Sequence, residues 1–162
     1  MIKIIVVILF FFSLFACNPV QKASQNKSVP LAVPFTCLAS QSRCDISTDL
    51  GTFTVEFSGL FEEGKIKTEL PFTIQLTFEA LVENAQLRTI NSYLEGKSMF
   101  MGKIPVFFQL AENNSKIMTA ETMLVNCSEE IMTWRLWFAV EIEQAGKTTV
   151  QDFFVDFDSK RL

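Results

Sequence analysis

The segment Trp134-Arg-Leu-Trp-Phe-Ala-Val-Glu-Ile142 decides the fold. Trp134, Leu136, Phe138, Val140 and Ile142 recur every second residue, and Arg135 and Glu141 fall between them. Side chains alternate across a strand, so this pattern describes one core face and one wet face. A helix would scatter the same apolar residues around its axis. Trp137 breaks the polar series and stands on the face opposite the apolar one. It is therefore the large aromatic candidate for a binding surface.

Working outward, the same period recurs. Gly51-Thr-Phe-Thr-Val-Glu-Phe57 alternates through Phe53, Val55 and Phe57, and Pro71-Phe-Thr-Ile-Gln-Leu-Thr-Phe-Glu79 through Phe72, Ile74, Leu76 and Phe78. Pro71 suits the start of a strand, where a missing donor costs least. Further strands are expected within residues 86–93, 104–111 and 116–126. Phe107 and Phe108 are adjacent and must point oppositely. After a turn at Gln144-Ala-Gly-Lys147, a last strand covers 148–156. Its core face is Gln151, Phe153, Val155 and Phe157, which leaves Phe154 partly exposed or against a neighbour. Residues 81–91 are ambiguous between a strand and a helical turn, and no long amphipathic helix is evident. The expectation is an all-β immunoglobulin-like sandwich of about seven strands over residues 35–162, with a small open barrel as the alternative.

The N-terminal region differs in kind. Lys3 precedes an apolar run from Ile4 to Phe12. That run is short of the roughly 20 residues needed to span a bilayer and suits a signal peptide. It closes on Leu14-Phe15-Ala16-Cys17, which resembles the lipobox of bacterial lipoprotein precursors. The resemblance implies cleavage after Ala16, lipidation (palmitate among the acyl chains) at Cys17 and attachment to a membrane; the alternatives are an uncleaved anchor or a chance cysteine beside a generic signal peptide. More than one acyl chain is needed for stable anchoring. Asn18 after the cysteine resembles the default outer-membrane sorting pattern, so the implied location is the outer membrane facing the periplasm if the source is Gram-negative. Residues 17–34 then form a tether, polar and punctuated by Pro19, Pro30 and Pro34.

Removal of the first 16 of 162 residues leaves 146, enough for one domain, with 13 basic against 18 acidic side chains. The basic residues are scattered, so a nucleic-acid partner is not expected. The chain has no histidine. That excludes a Ser-His-Asp triad, a Cys-His pair and histidine-ligated zinc or haem within the chain. Paired carboxylates remain available at Glu62/Glu63, Glu129/Glu130, Glu141/Glu143 and Asp152/Asp156/Asp158, but a hydrolase would need two of them in a cleft with separated protonation roles.

Of the four cysteines, Cys17 is assigned to lipid, which leaves Cys37, Cys44 and Cys127 as disulfide candidates. A local Cys37–Cys44 clasp competes with pairings of either cysteine to Cys127. Met99 and Met101 flank Phe100 and would project together from an extended segment. With Met132 or Cys127 they offer soft donors suited to Cu(I), although methionines more often fill core gaps. No metal or cofactor is assigned on this basis.

The segment Tyr93-Leu-Glu-Gly-Lys-Ser-Met-Phe-Met-Gly-Lys103, with Glu121-Thr-Met-Leu-Val-Asn-Cys127 and Met132-Thr-Trp134, resembles a group of uncharacterised exported or lipid-anchored bacterial proteins. In that group a Met-x-Met-Gly turn precedes a strand, a Cys and a Met-x-Trp element. The pattern is also similar to YtkA-like and FixH-like sandwich domains, some from copper-related or cytochrome-oxidase assembly contexts. The resemblance spans residues 37–157 and implies a sandwich without supplying a catalytic residue. The leading expectation is a noncatalytic envelope lipoprotein that binds, assembles or supports, with an envelope protein as a candidate partner. Copper handling and a carboxylate-dependent enzyme are the alternatives.

Overall fold

The computed structural model describes residues 33–36, 43–59, 61–62, 65–111 and 114–162. Among the described residues twelve strand segments follow in chain order: β1 Val33–Thr36, β2 Arg43–Ser47, β3 Gly51–Gly59, β4 Phe61–Glu62, β5 Lys65–Lys67, β6 Pro71–Ala80, β7 Gln86–Gly96, β8 Lys103–Val106, β9 Gln109–Ala111, β10 Asn114–Met123, β11 Ile131–Gln144 and β12 Lys147–Lys160. They form two sheets. One runs β4-β5-β12-β11-β7-β8 with β1 also paired to β12, and the other runs β2-β3-β6-β10-β9.

This order is immunoglobulin-like. Strands β3, β6, β10 and β9 stand in the order A-B-E-D, and β12, β11, β7 and β8 stand as G-F-C plus one further strand. The β5 segment runs parallel to β12, because the chain between β3 and β6 crosses from one sheet to the other. Among the described residues no strand pairing joins the two sheets, which stack as a sandwich, so the open-barrel alternative does not hold.

The core lies where the two inner faces meet. Trp134, Leu136, Phe138, Val140 and Ile142 are all buried, opposite Phe53, Val55, Phe57, Phe72, Ile74, Leu76 and Phe78. Phenylalanines join the layers: Phe53 meets Phe153 and Phe57 meets Phe157, each pair with ring centroids 4.9 Å apart. Such pairs add packing energy beyond area burial, about 0.5–1.5 kcal/mol each.

The structure corrects several sequence expectations. It has more strand segments than about seven, since β1, β2, β4 and β5 are only 2 to 5 residues long and too short to stand out as runs. The expected 104–111 strand is two strands, β8 and β9, one in each sheet. The chain leaves one sheet there, with Phe107 outward and Phe108 against Phe138. The expected domain start at Phe35 falls inside β1, so the strand includes Pro34, assigned above to the tether. Residues 81–84 form a turn rather than a helix. The proposed signal peptide and nearly all of the tether lie outside the described residues.

The β11–β12 connection is a two-residue hairpin, with Gln144 paired to Lys147. Ala145 and Gly146 have φ of 50° and 76°, the double left-handed geometry of a type I′ turn. Alanine is poorly suited to that position, whereas asparagine tolerates it. Ala145→Asn is expected to stabilise the fold by about 0.5–1 kcal/mol in urea unfolding, since it relieves part of the left-handed cost. An unchanged or lowered midpoint would count against this account of the turn.

Candidate functional site

The β12-β11-β7-β8 sheet presents an outer face whose side chains fall into cross-strand rows. Register places Phe154, Trp137, Tyr93 and Pro105 in one row. On one side of it lies the row Asp156, Arg135, Glu95 and Lys103, with charges alternating in sign. On the other side lie Asp152, Ala139 and Asn91, then Val150, Glu141 and Thr89. Directly opposed residues in an antiparallel pair are close enough to interact, so each row acts as a unit.

The aromatic row is tightly braced. The Trp137 and Tyr93 rings lie 6.2 Å apart at 26°, and Trp137 meets Phe154 at 4.9 Å. The Arg135 guanidinium lies 3.7 Å over Phe154, and the Lys103 ammonium 4.1 Å over Tyr93. Trp137 Nε1–H donates to Glu95 Oε1 at 2.6 Å. Phe154 is thus buried on the outer face against its neighbours, one of the two outcomes its sequence position allowed.

Asp156 anchors the charged row. Arg135 donates to both carboxylate oxygens, at 2.7 and 2.9 Å, and Lys97 donates to Oδ2 at 2.8 Å. The Asp156 side chain is only 4% exposed. Burial alone would push its carboxyl up, but the hydrogen bonds from Arg135 and Lys97 outweigh that and hold it below the usual carboxylate range. Arg135 is raised in turn, chiefly by its hydrogen bond to Asp156.

The next row is low because Ala139 is small and Asp152 and Asn91 are short. The result is a trench of about 590 Å³ across the strands. Trp137, Tyr93 and Pro105 wall one side, Phe107 stands at the β8 end, and Ala139, Asn91 and Asp152 line the floor. This volume is within the range of small-ligand sites. Trp137 therefore stands on the outer face and borders this concavity. The trench itself was not visible in the sequence, since Ala139, Asn91 and Asp152 become neighbours only through register.

The other candidates separate. Cys44 faces the core from β2 and is disulfide-bonded; Cys17 and Cys37 lie outside the described residues. Cys127 is a free, half-buried thiol that donates to the Glu129 carbonyl at 3.6 Å. Neither pairing to Cys127 is formed: it lies beyond the end of β10, and β3 and β6 stand between that strand and β2. Met99 and Met101 do not alternate on a strand, because 97–99 is a bend with Phe100 fully outward. Met99 is exposed, while Met101 packs on the core and Met132 is buried, both against Gly96. That juxtaposition is packing into the space a glycine leaves. Among the described residues no group of three or more His, Cys, Asp or Glu side chains is placed to hold a metal.

The carboxylates are dispersed or engaged. Glu141 accepts from Thr89, Glu143 pairs with Arg88, and Asp158 accepts from Thr133. On the outer face of the second sheet, Asp45 is held below the usual range by hydrogen bonds from Thr54 and then Arg43. Asp45 and Asp156 are both favoured in the ionised form, the opposite of a general acid.

No family model matches the chain, and no curated protein matches it. Among solved structures it is similar to a DUF4785 family protein from Legionella pneumophila, with TM-score 0.54 and 12% identity, covering 70% of this chain and 29% of that one. It also matches a DUF3823 family protein from Bacteroides ovatus, with TM-score 0.31 and 17% identity, covering 64% of this chain and 54% of that one. This chain thus spans under a third of the first neighbour's length and about half of the second's. The first similarity supports the sandwich fold and nothing finer.

Proposed function

We propose that the chain is a noncatalytic lipoprotein module of the bacterial envelope, tethered through Cys17, that binds or assembles through the outer face of the β12-β11-β7-β8 sheet. The observation that carries the binding role is the trench beside Trp137, a braced aromatic wall over a short polar floor. Strongly braced side chains lose little freedom on binding, which favours recognition by a preformed surface. The lipobox at Leu14-Phe15-Ala16-Cys17 supports the tether. The absence of histidine and the dispersal of the carboxylates support a role without turnover.

The anchor is tested by palmitate labelling and membrane fractionation of the full chain and Cys17→Ser. Labelling and membrane recovery are both expected to fall at least tenfold in the variant, because the hydrophobic contribution of the acyl chains is removed. Membrane recovery independent of Cys17 would overturn the tether. Turnover of any substrate by the purified protein, abolished by Asp152→Asn, would overturn the noncatalytic assignment.

A further inference from the structure

We infer that the trench over Ala139 binds a glycan chain. This rests on the binding role proposed above and names its ligand class. Three observations converge. First, the floor carries two polar side chains, Asn91 and Asp152, on either side of Ala139 in one cross-strand row. The side-chain polar atoms of both make no hydrogen bond among the described residues, although their neighbours Thr89, Glu141, Ser92 and Glu95 are all engaged. Planar amide and carboxylate groups pair well with adjacent ring hydroxyls, each presenting two positions at fixed spacing.

Second, the wall is aromatic. Trp137 and Tyr93 stand along one side of this floor, and Phe107 is 76% exposed at its end. Trp137 and Tyr93 face one another, Phe154 and Lys103, so they offer the trench their edges, and Phe107 offers an open face. A sugar ring has the matching amphipathic form, with C–H groups for these aromatics and hydroxyls for the amide and carboxylate. A purely apolar occupant would leave Asp152 and Asn91 desolvated without partners, which is costly.

Third, the trench crosses four strands and opens on the face of the sheet rather than ending in the core. With neighbouring strands about 4.8 Å apart, that is about 14 Å of floor, suited to part of a linear chain. The charges beside the trench also balance. Lys103 lies at the β8 side and Asp152 at the β12 side, so the lining carries one charge of each sign.

The test uses the full chain in detergent with three probes: a β-1,4-linked N-acetylglucosamine tetramer by calorimetry, and purified peptidoglycan sacculi and lipopolysaccharide vesicles by co-sedimentation. Binding to at least one probe is expected. Ala139→Leu, which fills the trench from an outward position, and the double variant Asn91→Ala/Asp152→Ala should each weaken it at least tenfold. Their thermal midpoints and far-ultraviolet spectra should match the parent, since none of these side chains is in the core. The sacculus and lipopolysaccharide arms distinguish the two polymer sources. Failure to bind any probe, or binding unchanged in Ala139→Leu, overturns the inference. If glycan binding fails while Cys17-dependent membrane attachment persists, the ligand class falls and the tethered module stands. If glycan binds but membrane attachment does not depend on Cys17, the tether falls and the ligand class stands.

Discussion

Trp134→Ala is expected to cost about 3–5 kcal/mol of unfolding free energy, a large share of the 5–15 kcal/mol typical of a domain. Trp134 is fully buried on the inner face of β11. Truncation removes its apolar surface and opens a cavity between two sheets whose backbones are held by ladder hydrogen bonds, so collapse can recover little of it. A polar loss adds to this. Trp134 Nε1–H donates at 3.0 Å to Ser159 Oγ, which is itself buried and donates to the Met132 carbonyl. Alanine leaves the Ser159 oxygen without its donor in the interior. Urea unfolding followed by circular dichroism measures the effect. Trp137→Ala provides the contrast, with an expected loss of about 1–2 kcal/mol because its ring lies on the outer face and keeps part of its exposure. A Trp134→Ala loss no larger than that of Trp137→Ala would show the two faces of β11 to be assigned the wrong way round.

That contrast also marks how far the sequence could be read. Within β11 the face of every residue follows from alternation alone, and the buried set Trp134 to Ile142 is the set expected. The same holds for β3 and β6, whose core sides carry bulky apolar residues against polar neighbours, whereas in β12 residues 153–157 are buried on both faces and alternation does not separate them. Alternation gives no information about what lies beside a strand. The Asp156–Arg135 pair joins residues 21 apart, Lys97 reaches Asp156 across 59, and Asn91 joins Ala139 and Asp152 only because β7 and β12 flank β11. Each depends on register, which is set by the hairpin at Ala145–Gly146 and by the bulge in the β11–β7 pairing at Glu141/Ile142. The Met99–Phe100–Met101 reading failed for a related reason. It assumed a strand where β7 and β8 are instead joined through a bend, and the buried neighbour of Met101 at Gly96 proved to be Met132.

Asp156→Asn is expected to cost about 2–4 kcal/mol at neutral pH, the scale for breaking a buried charge pair with part of it still wet. The carboxylate is nearly inaccessible and holds two cations, so the amide would leave Arg135 and Lys97 facing a neutral group. The Arg135 guanidinium would also lose the contact that fixes it over Phe154, which loosens the base of the aromatic row. Lys97 is half exposed and can turn to solvent, which keeps the expected cost below that of a fully buried triad. The pH dependence follows from the sign of the shift. The folded carboxyl is depressed, so the pair's contribution is fully present above the unfolded aspartate value of about 3.9. It is lost as the pH falls from there through the folded value, because the native state must then take up a proton it binds poorly. The stability gap between wild type and Asp156→Asn should therefore be constant from about pH 7 to pH 5, narrow below about pH 4, and close once the wild-type carboxyl is protonated. Parallel urea titrations of the two proteins across this range measure it. A gap that persists unchanged at low pH would mean that the amide substitution disturbs packing rather than charge, and that Asp156 does not hold the outer face together as an ionised group.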